Sequence, residues 1–299
     1  MPYKEGLRPQ PPPPGRERKP FNEYQADVYA RLEAAVEHIQ DSETFREYLL
    51  MQSRFHTYSW KNALLIMAQK PDATRVARYD NWKKLDRQVK KGEKGIKVFY
   101  PMLRKQRNEQ GKEEEVLTGF GIGNVFDVLQ TEGKPLPDVH IPELEGDEGG
   151  VLLGKLEGLA HRQGVRVRHL PPPEPGSHTM GSYDPLTRTI DLHASSQLQV
   201  TKTLAHELAH HFAGHKPDQQ RQPEQETVAE ASAYVVCSHF GLDTGARSFP
   251  YVAVWAKEKQ VLKNALGTIQ KIASTMIRGL EGENRHPDEL AAPANSSHS

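Results

Sequence analysis

Apolar residues mark out the first helices. Tyr24, Val28, Leu32, Val36 and Ile39 recur every three or four positions, which predicts an amphipathic helix. Asp41 and Ser42 can cap a second helix through Phe45, Leu49 and Leu50. Ser59 opens a third, through Leu64, Leu65 and Ile66 to about Gln69, and Pro71 ends it. After Gly92 and Gly95 the pattern changes to the alternation of Ile96-Lys97-Val98-Phe99-Tyr100, as in a strand. A second strand is expected within Gly119 to Val128. Gly119, Gly121 and Gly123 lack the remainder of a phosphate-loop fingerprint, so they read as glycine bends in that strand.

The second half repeats the mixture. A helix over about 151–163 leads to a strand from Val165 to Leu170. A proline-rich loop follows, then a turn at Tyr183-Asp184-Pro185-Leu186-Thr187 into a strand from Arg188 to His193. Helices are expected at about 198–214, 223–240 and 254–280. The fold class is α+β with two domains, residues 21–136 and 151–282. Residues 1–20, with seven prolines, read as a disordered or polyproline-II tail. Residues 137–150 read as an acidic linker, and 283–299 as a polar tail.

Composition sharpens this division. The 299 residues carry 39 Lys+Arg and 39 Asp+Glu, for zero net charge. Residues 51–110 nevertheless hold 15 basic and 5 acidic residues, whereas 111–150 hold 2 and 10. The basic window also contains Phe55, Tyr58, Trp60, Tyr79, Trp82, Phe99 and Tyr100. Cations track a phosphate backbone and exposed rings stack on unpaired bases, so the window suits single strands better than duplex. Half or more of these rings are expected in the core instead. No run approaches the roughly 18 apolar residues of a membrane span. The opening segment has no apolar stretch of the secretory type. Cys237 is the single cysteine, which rules out an intramolecular disulfide and a multi-cysteine zinc site. The expected location is cytoplasmic, with no membrane partner.

The densest chemistry lies at Thr203-Leu204-Ala205-His206-Glu207-Leu208-Ala209-His210. His206 and His210 are one helical turn apart and project from one face, where two imidazoles can share a zinc ion. Glu207 lies a step around the helix, within reach of a metal-bound water, as general base. A third ligand is needed. Glu226 and Glu230 share a face of the next helix; Glu226 is assigned as ligand and Glu230 as the group that hydrogen-bonds a ligand histidine. His215 is the rival, although its spacing is one residue short of the metzincin pattern and the glycine of that motif is absent. His211 points off the ligand face. Tyr183 and Tyr234 are candidates for stabilising an oxyanion. The strand Arg188 to His193 is a candidate to pair with an extended peptide substrate.

These residues also carry a resemblance. Tyr58-Ser59-Trp60-Lys61-Asn62, the stretch from Trp82 through Lys90-Lys91-Gly92-Glu93-Lys94-Gly95, and Val125-Phe126-Asp127-Val128-Leu129-Gln130-Thr131 resemble the ArdC-type antirestriction proteins. So do the HExxH segment and Glu226-Thr227-Val228-Ala229-Glu230-Ala231-Ser232-Ala233-Tyr234-Val235-Val236. Ser248 to Trp255 also looks like a family segment. The resemblance implies a mixed α/β single-stranded-DNA-binding domain joined to an ImmA/IrrE-like, zincin-like metallopeptidase domain. It places the third zinc ligand on Glu226 and implies a role in shielding transferred plasmid DNA from restriction. Within the resembling segments the candidate DNA-binding residues are Trp60, Lys61, Asn62, Trp82, Lys83, Arg87, Lys90, Lys91 and Lys94. The expected cofactor is Zn2+, and the expected partners are single-stranded DNA and a protein or peptide substrate. Two other readings stay open: a DNA-shielding module with a structural zinc, and a partner-steered protease that cleaves a repressor.

Overall fold

The structure, a computed structural model, describes residues 21–39, 41–107, 113–136, 148–172, 174, 180–214, 223–244 and 258–282. The expected tails, most of the acidic linker, His215 and the Ser248–Trp255 segment lie outside them. The fold is mixed α+β. No helix among the described residues is long and apolar enough to cross a membrane.

Three helices open the chain: α1 (Phe21–His38), α2 (Ser42–Arg54) and α3 (Trp60–Gln69). Asp41 caps α2 by accepting from the Glu43 and Thr44 amides, and Ser59 caps α3 through the Asn62 amide. A short strand β1 (Val76–Ala77), helix α4 (Tyr79–Lys84) and strand β2 (Arg87–Val89) follow. Strands β3 (Ile96–Arg107) and β4 (Glu113–Asp127) then pair as a long antiparallel ribbon, and β5 (Thr131–Gly133) returns to pair with β2. β1 pairs with the far end of β4, giving the order β1-β4-β3. Both ribbon strands run well beyond the segments that sequence periodicity marks, because their outer halves are solvent-exposed and carry no one-sided apolar alternation. The glycine spacing has a steric reason: a Cβ on Gly121 would sit 2.5 Å from the Tyr100 ring carbon Cζ, so the ring lies directly over the backbone of β4.

The second half contains α5 (Glu148–Arg162), β6 (Arg166–Leu170), β7 (Gly181–Asp184), β8 (Thr189–His193), α6 (Gln197–Ala213), α7 (Pro223–His239) and α8 (Lys259–Glu281). The sheet order is β6-β8-β7, with β6 parallel and β7 antiparallel to β8. β8 is therefore the central strand, and both of its edges are occupied. The expectation that the Arg188–His193 strand pairs with a peptide is corrected on that ground; among the described residues the outer strand beside α6 is β7. β7 can lie this close because residue 181 is glycine: a Cβ there would sit 2.4 Å from Thr203 Cγ2 on α6.

The expected boundary at 137–150 does not divide the interior into separate cores. Val28, Leu32, Phe45, Leu49 and Leu64 from α1–α3 belong to the same buried cluster as Leu156, Leu204, Leu208, Val235, Ile269 and Ile277. Polar contacts cross the same joint. Arg46 donates to the Tyr234 hydroxyl at 3.0 Å, His239 Nδ1 lies 2.9 Å from the Ser53 carbonyl, and Lys263 donates to Glu33 at 2.6 Å. A second, smaller cluster joins α2 and α3 to the base of the ribbon through Met51, Phe55, Ile66, Ile96, Val98 and Val125. Helices α2 and α3 thus face two cores, whereas α1 packs into the larger one.

Candidate metal centre and nucleic-acid interface

Helix α6 runs through the larger core, with Leu204, Ala205, Leu208 and Ala209 fully buried. It is capped by Ser196, which accepts from the Gln199 amide, and it stops at Gly214 in the left-handed conformation. This fixes the register of His206, Glu207 and His210. Helix α7 packs alongside and brings Glu226 and Glu230 to the same place.

His206 Nε2 lies 3.0 Å from His210 Nε2 and 3.1 Å from one Glu226 oxygen; the other Glu226 oxygen lies 3.3 Å from His210 Nε2. Zinc–ligand bonds of about 2.0–2.1 Å in a tetrahedron set donor atoms roughly 3.3–3.4 Å apart. The two imidazole nitrogens, and each of them with one of the two Glu226 oxygens, come close to that spacing; one donor atom from each of the three residues lies within 4.8 Å of the others, and two imidazole nitrogens and a carboxylate are a common donor set for zinc. The same set also admits manganese, since imidazole and carboxylate suit several divalent ions. The residues present therefore fit one divalent ion with three protein donors. His210 is fully buried, whereas the Glu226 side chain is 41% exposed, so the triangle opens toward solvent on the α7 side.

A second layer steadies the triangle. Glu230 reaches the opposite ring nitrogen, His206 Nδ1, at 3.3 Å, and its other oxygen lies 3.3 Å from the buried Lys202 ammonium. The Glu230 carboxylate is at ion-pair distance and not in an aligned hydrogen bond, yet its charge beside Nδ1 favours hydrogen on that nitrogen, which leaves Nε2 to face the triangle. Burial works against a charged His206, but its interactions with the accepting carboxylates of Glu226 and Glu230 outweigh it and raise its pKa to about 9. Burial likewise opposes the Glu226 carboxylate, yet the two histidines hold it well below the usual carboxylate range. Glu207 is buried on α6 between the two histidine positions.

The two tyrosines lie apart. Tyr183 on β7 pairs with His211, hydroxyl to Nδ1, at 2.9 Å. Burial raises the Tyr183 pKa, and burial with the nearby Arg188 lowers that of His211. The Tyr234 hydroxyl accepts from Arg46 on α2, so it helps tie the two halves together. Sequence reasoning names Tyr183 as an oxyanion candidate and places His211 off the ligand face, but it misses their pairing and it misses Lys202. Lys202 stands one turn before His206, and a lysine on a core-facing helix position was the available signal.

The nine nucleic-acid candidates divide in two. Trp82 is 2% exposed and donates from Nε1 to the Phe126 carbonyl at 2.9 Å, so it cannot stack on a base. Asn62 spends its amide on the backbone of Phe99, donating to O at 2.9 Å and accepting from N at 2.8 Å. Gln69 does the same to Lys97, so α3 completes the outer edge of β3 as a neighbouring strand would. Arg87 donates to the Thr131 hydroxyl and to the carbonyls of Thr131 and Lys134. Lys90 donates to the Leu129 carbonyl. Of these four residues, expected to touch DNA, Trp82, Asn62 and Arg87 spend their polar groups on bracing the fold, whereas Lys90 is exposed and braces a surface carbonyl. Asp127 and Gln130 complete the brace: Asp127 accepts from the Thr74 and Arg75 amides, and Gln130 donates to Glu93 and to the Lys94 carbonyl. What the brace presents outward is the loop carrying Lys91 and Lys94, both exposed. Lys83 lies over the Tyr79 ring at 5.1 Å, and Lys61 lies 5.7 Å from the ring centre of the half-buried Trp60.

Comparison with known proteins gives three findings. Residues 21–126 match the family model for the N-terminal domain of anti-restriction factor ArdC. An uncharacterized protein of Bacillus anthracis is 26% identical over 285 residues, covering 78% of this chain; the chain spans 46% of that relative's length. Two crystal structures of the antirestriction ArdC protein from plasmid R388 are similar. The metal-free one has 22% identity and a TM-score of 0.46, covering 75% of this chain and 86% of that one. The Mn(II)-bound one has 21% identity and a TM-score of 0.44, covering 78% and 97%.

Proposed function

We propose that this chain is a metal-dependent endopeptidase that also binds single-stranded DNA and acts in antirestriction. The observation that carries the peptidase reading is the His206–His210–Glu226 triangle, with three protein donors among the described residues, the half-exposed Glu226 side and Glu207 beside it. A structural site would be closed by four protein ligands, whereas a catalytic one keeps a position open. A divalent ion bound there supplies a Lewis acid and an acidified water. Glu207 is the group that takes up a proton and passes it to the leaving amine. Glu230 and Lys202 hold the His206 ring in place. The outer edge of β7, lying along α6, offers backbone hydrogen bonds to an extended peptide. Zinc is the ion we assign, on the two-imidazole, one-carboxylate donor set.

The DNA reading rests on the match of residues 21–126 to the ArdC N-terminal family model and on the exposed lysines at 83, 91 and 94. Antirestriction is inferred from that same match. A DNA-bound enzyme would meet DNA-associated proteins at raised local concentration. The test is cleavage of a mixed peptide library by the zinc-loaded full chain. Cleavage that stops with chelator and in Glu207→Gln supports the reading; cleavage that persists in Glu207→Gln removes the mechanism.

A further inference from the structure

A groove of about 770 Å3 lies where α1, α3, the end of α6 and α8 meet. Its α3 wall carries Trp60 and Lys61, its α1 wall Tyr29, and its α8 wall Lys263 and Lys271. We propose that this groove seats a segment of single-stranded nucleic acid, so that both halves of the chain build the strand-binding surface. The inference rests on the DNA-binding reading above and gives it a location.

Ring chemistry comes first. Trp60 is half-buried, and its indole is held against α8 at Gly267: a Cβ there would lie 3.5 Å from Nε1, in ordinary contact. Tyr29 is 48% exposed and is steadied by Phe99, with ring centres 5.0 Å apart. Fixed, partly exposed rings are what unpaired bases stack on, whereas a duplex hides its base faces. Charge comes second. Lys61 and Lys271 are exposed on opposite walls, and Lys263 is paired with Glu33 at 2.6 Å. Two further cations against one compensated pair leave the groove electropositive, which suits a phosphate chain over an acidic side chain in isolation. Lys263 and Lys271 are eight residues apart, about 12 Å along the helix, enough to follow a backbone over more than one phosphate. Exposed Gln260, Asn264 and Thr268 on the same α8 face add hydrogen-bonding groups.

The location has a consequence. Phe212, two residues after His210, also lines the groove. A strand seated there touches the helix that carries the metal histidines.

The test uses the full chain and a short oligo-dT, read by fluorescence anisotropy across a salt series and by tryptophan emission. The double variant Lys61→Glu/Lys271→Glu should bind at least tenfold more weakly. Its log–log salt slope should be shallower by ~0.7 for each phosphate that is no longer neutralised. Oligo-dT should quench emission in the parent and much less in Trp60→Phe, whose melting temperature serves as the folding control. Full-strength binding by a folded double variant overturns the groove while leaving DNA binding intact. No binding by the parent overturns both readings. Quenching by an extended acidic peptide, with none by oligo-dT, overturns the proposal in favour of a protein occupant.

Discussion

Glu230 approaches His206 from the side opposite the metal triangle, 3.3 Å from Nδ1, while Lys202 holds the other Glu230 oxygen at the same distance. The relay sets the ring's direction before any ion arrives, and keeps hydrogen on Nδ1 once an ion takes the place of the Nε2 proton. Removing such a support usually lowers metal affinity 10–100-fold. Glu230→Gln keeps the shape but loses the charge, and should weaken zinc binding within that range by competition with a chromophoric chelator. Lys202→Met leaves Glu230 without its ammonium neighbour and should weaken binding less. Unchanged affinity in both variants would show that the relay does not position the ligand.

Glu207 is expected to act on the proton and not on the ion. Glu207→Gln should retain zinc at the parent's stoichiometry and lose peptide cleavage by at least 10²-fold, the usual scale for a general base. Metal content by atomic emission and cleavage by mass spectrometry separate the two effects. Loss of zinc in this variant would make Glu207 a structural residue.

The pH dependence of the metal-free chain follows from His206. Its folded-state pKa is raised to about 9, above the ordinary 6.5. The folded chain therefore holds that proton more tightly than the unfolded chain does. The resulting stabilisation is complete below about 6.5 and fades as pH rises through about 9. Chelator-treated protein should melt at progressively lower temperature from pH 6.5 to 9.5. Zinc competes for the same nitrogen, so its apparent affinity should climb over that window and its binding should release a proton. A melting temperature that rises over the window would contradict this account of His206.

Asn62 should matter to folding more than to DNA. Asn62→Ala leaves the Phe99 N–H and carbonyl without their partners at a half-buried edge and should cost about 2–3 kcal/mol. Urea denaturation measures it. Once the protein is folded, its oligo-dT affinity should match the parent's. A stable variant with weak DNA binding would return Asn62 to the interface.

The shared core bears on the first half as a fragment. Residues 21–136 alone would expose parts of Val28, Leu32, Phe45 and Leu49, which in the whole chain belong to one buried cluster with residues of α6, α7 and α8. The fragment should associate or melt far below the full chain in matched thermal scans. A monomeric fragment with the parent's stability would mean that the first half carries its own sufficient core.

Much of this was legible in the residues. The caps at Asp41 and Ser59 were readable because capping is local, and α6 was readable from its HExxH spacing. The spacing of Glu226 and Glu230, one turn apart, showed that one carboxylate could ligate while the other supported a histidine ring, and the resemblance assigned the ligand to Glu226. Three things were hidden, each for a tertiary reason. The central place of β8 depends on β7, a four-residue strand masked by a turn signal. The use of Asn62, Trp82, Arg87 and Lys90 as braces depends on backbone groups up to 47 residues away. The groove joins Trp60 to Lys271, and nothing in local periodicity links those positions. The resembling segments around Trp82 and Asp127 drew attention as DNA-binding chemistry, whereas much of their chemistry is spent on holding one loop.

The most direct test of the central claim is isothermal titration of zinc into the chelator-treated full chain, the parent beside His210→Ala and Glu226→Ala. The account predicts one zinc per parent chain, loss of that site in His210→Ala, and at least tenfold weaker binding in Glu226→Ala. Stoichiometric binding that survives unchanged in His210→Ala, or a parent that takes up no zinc, would contradict it.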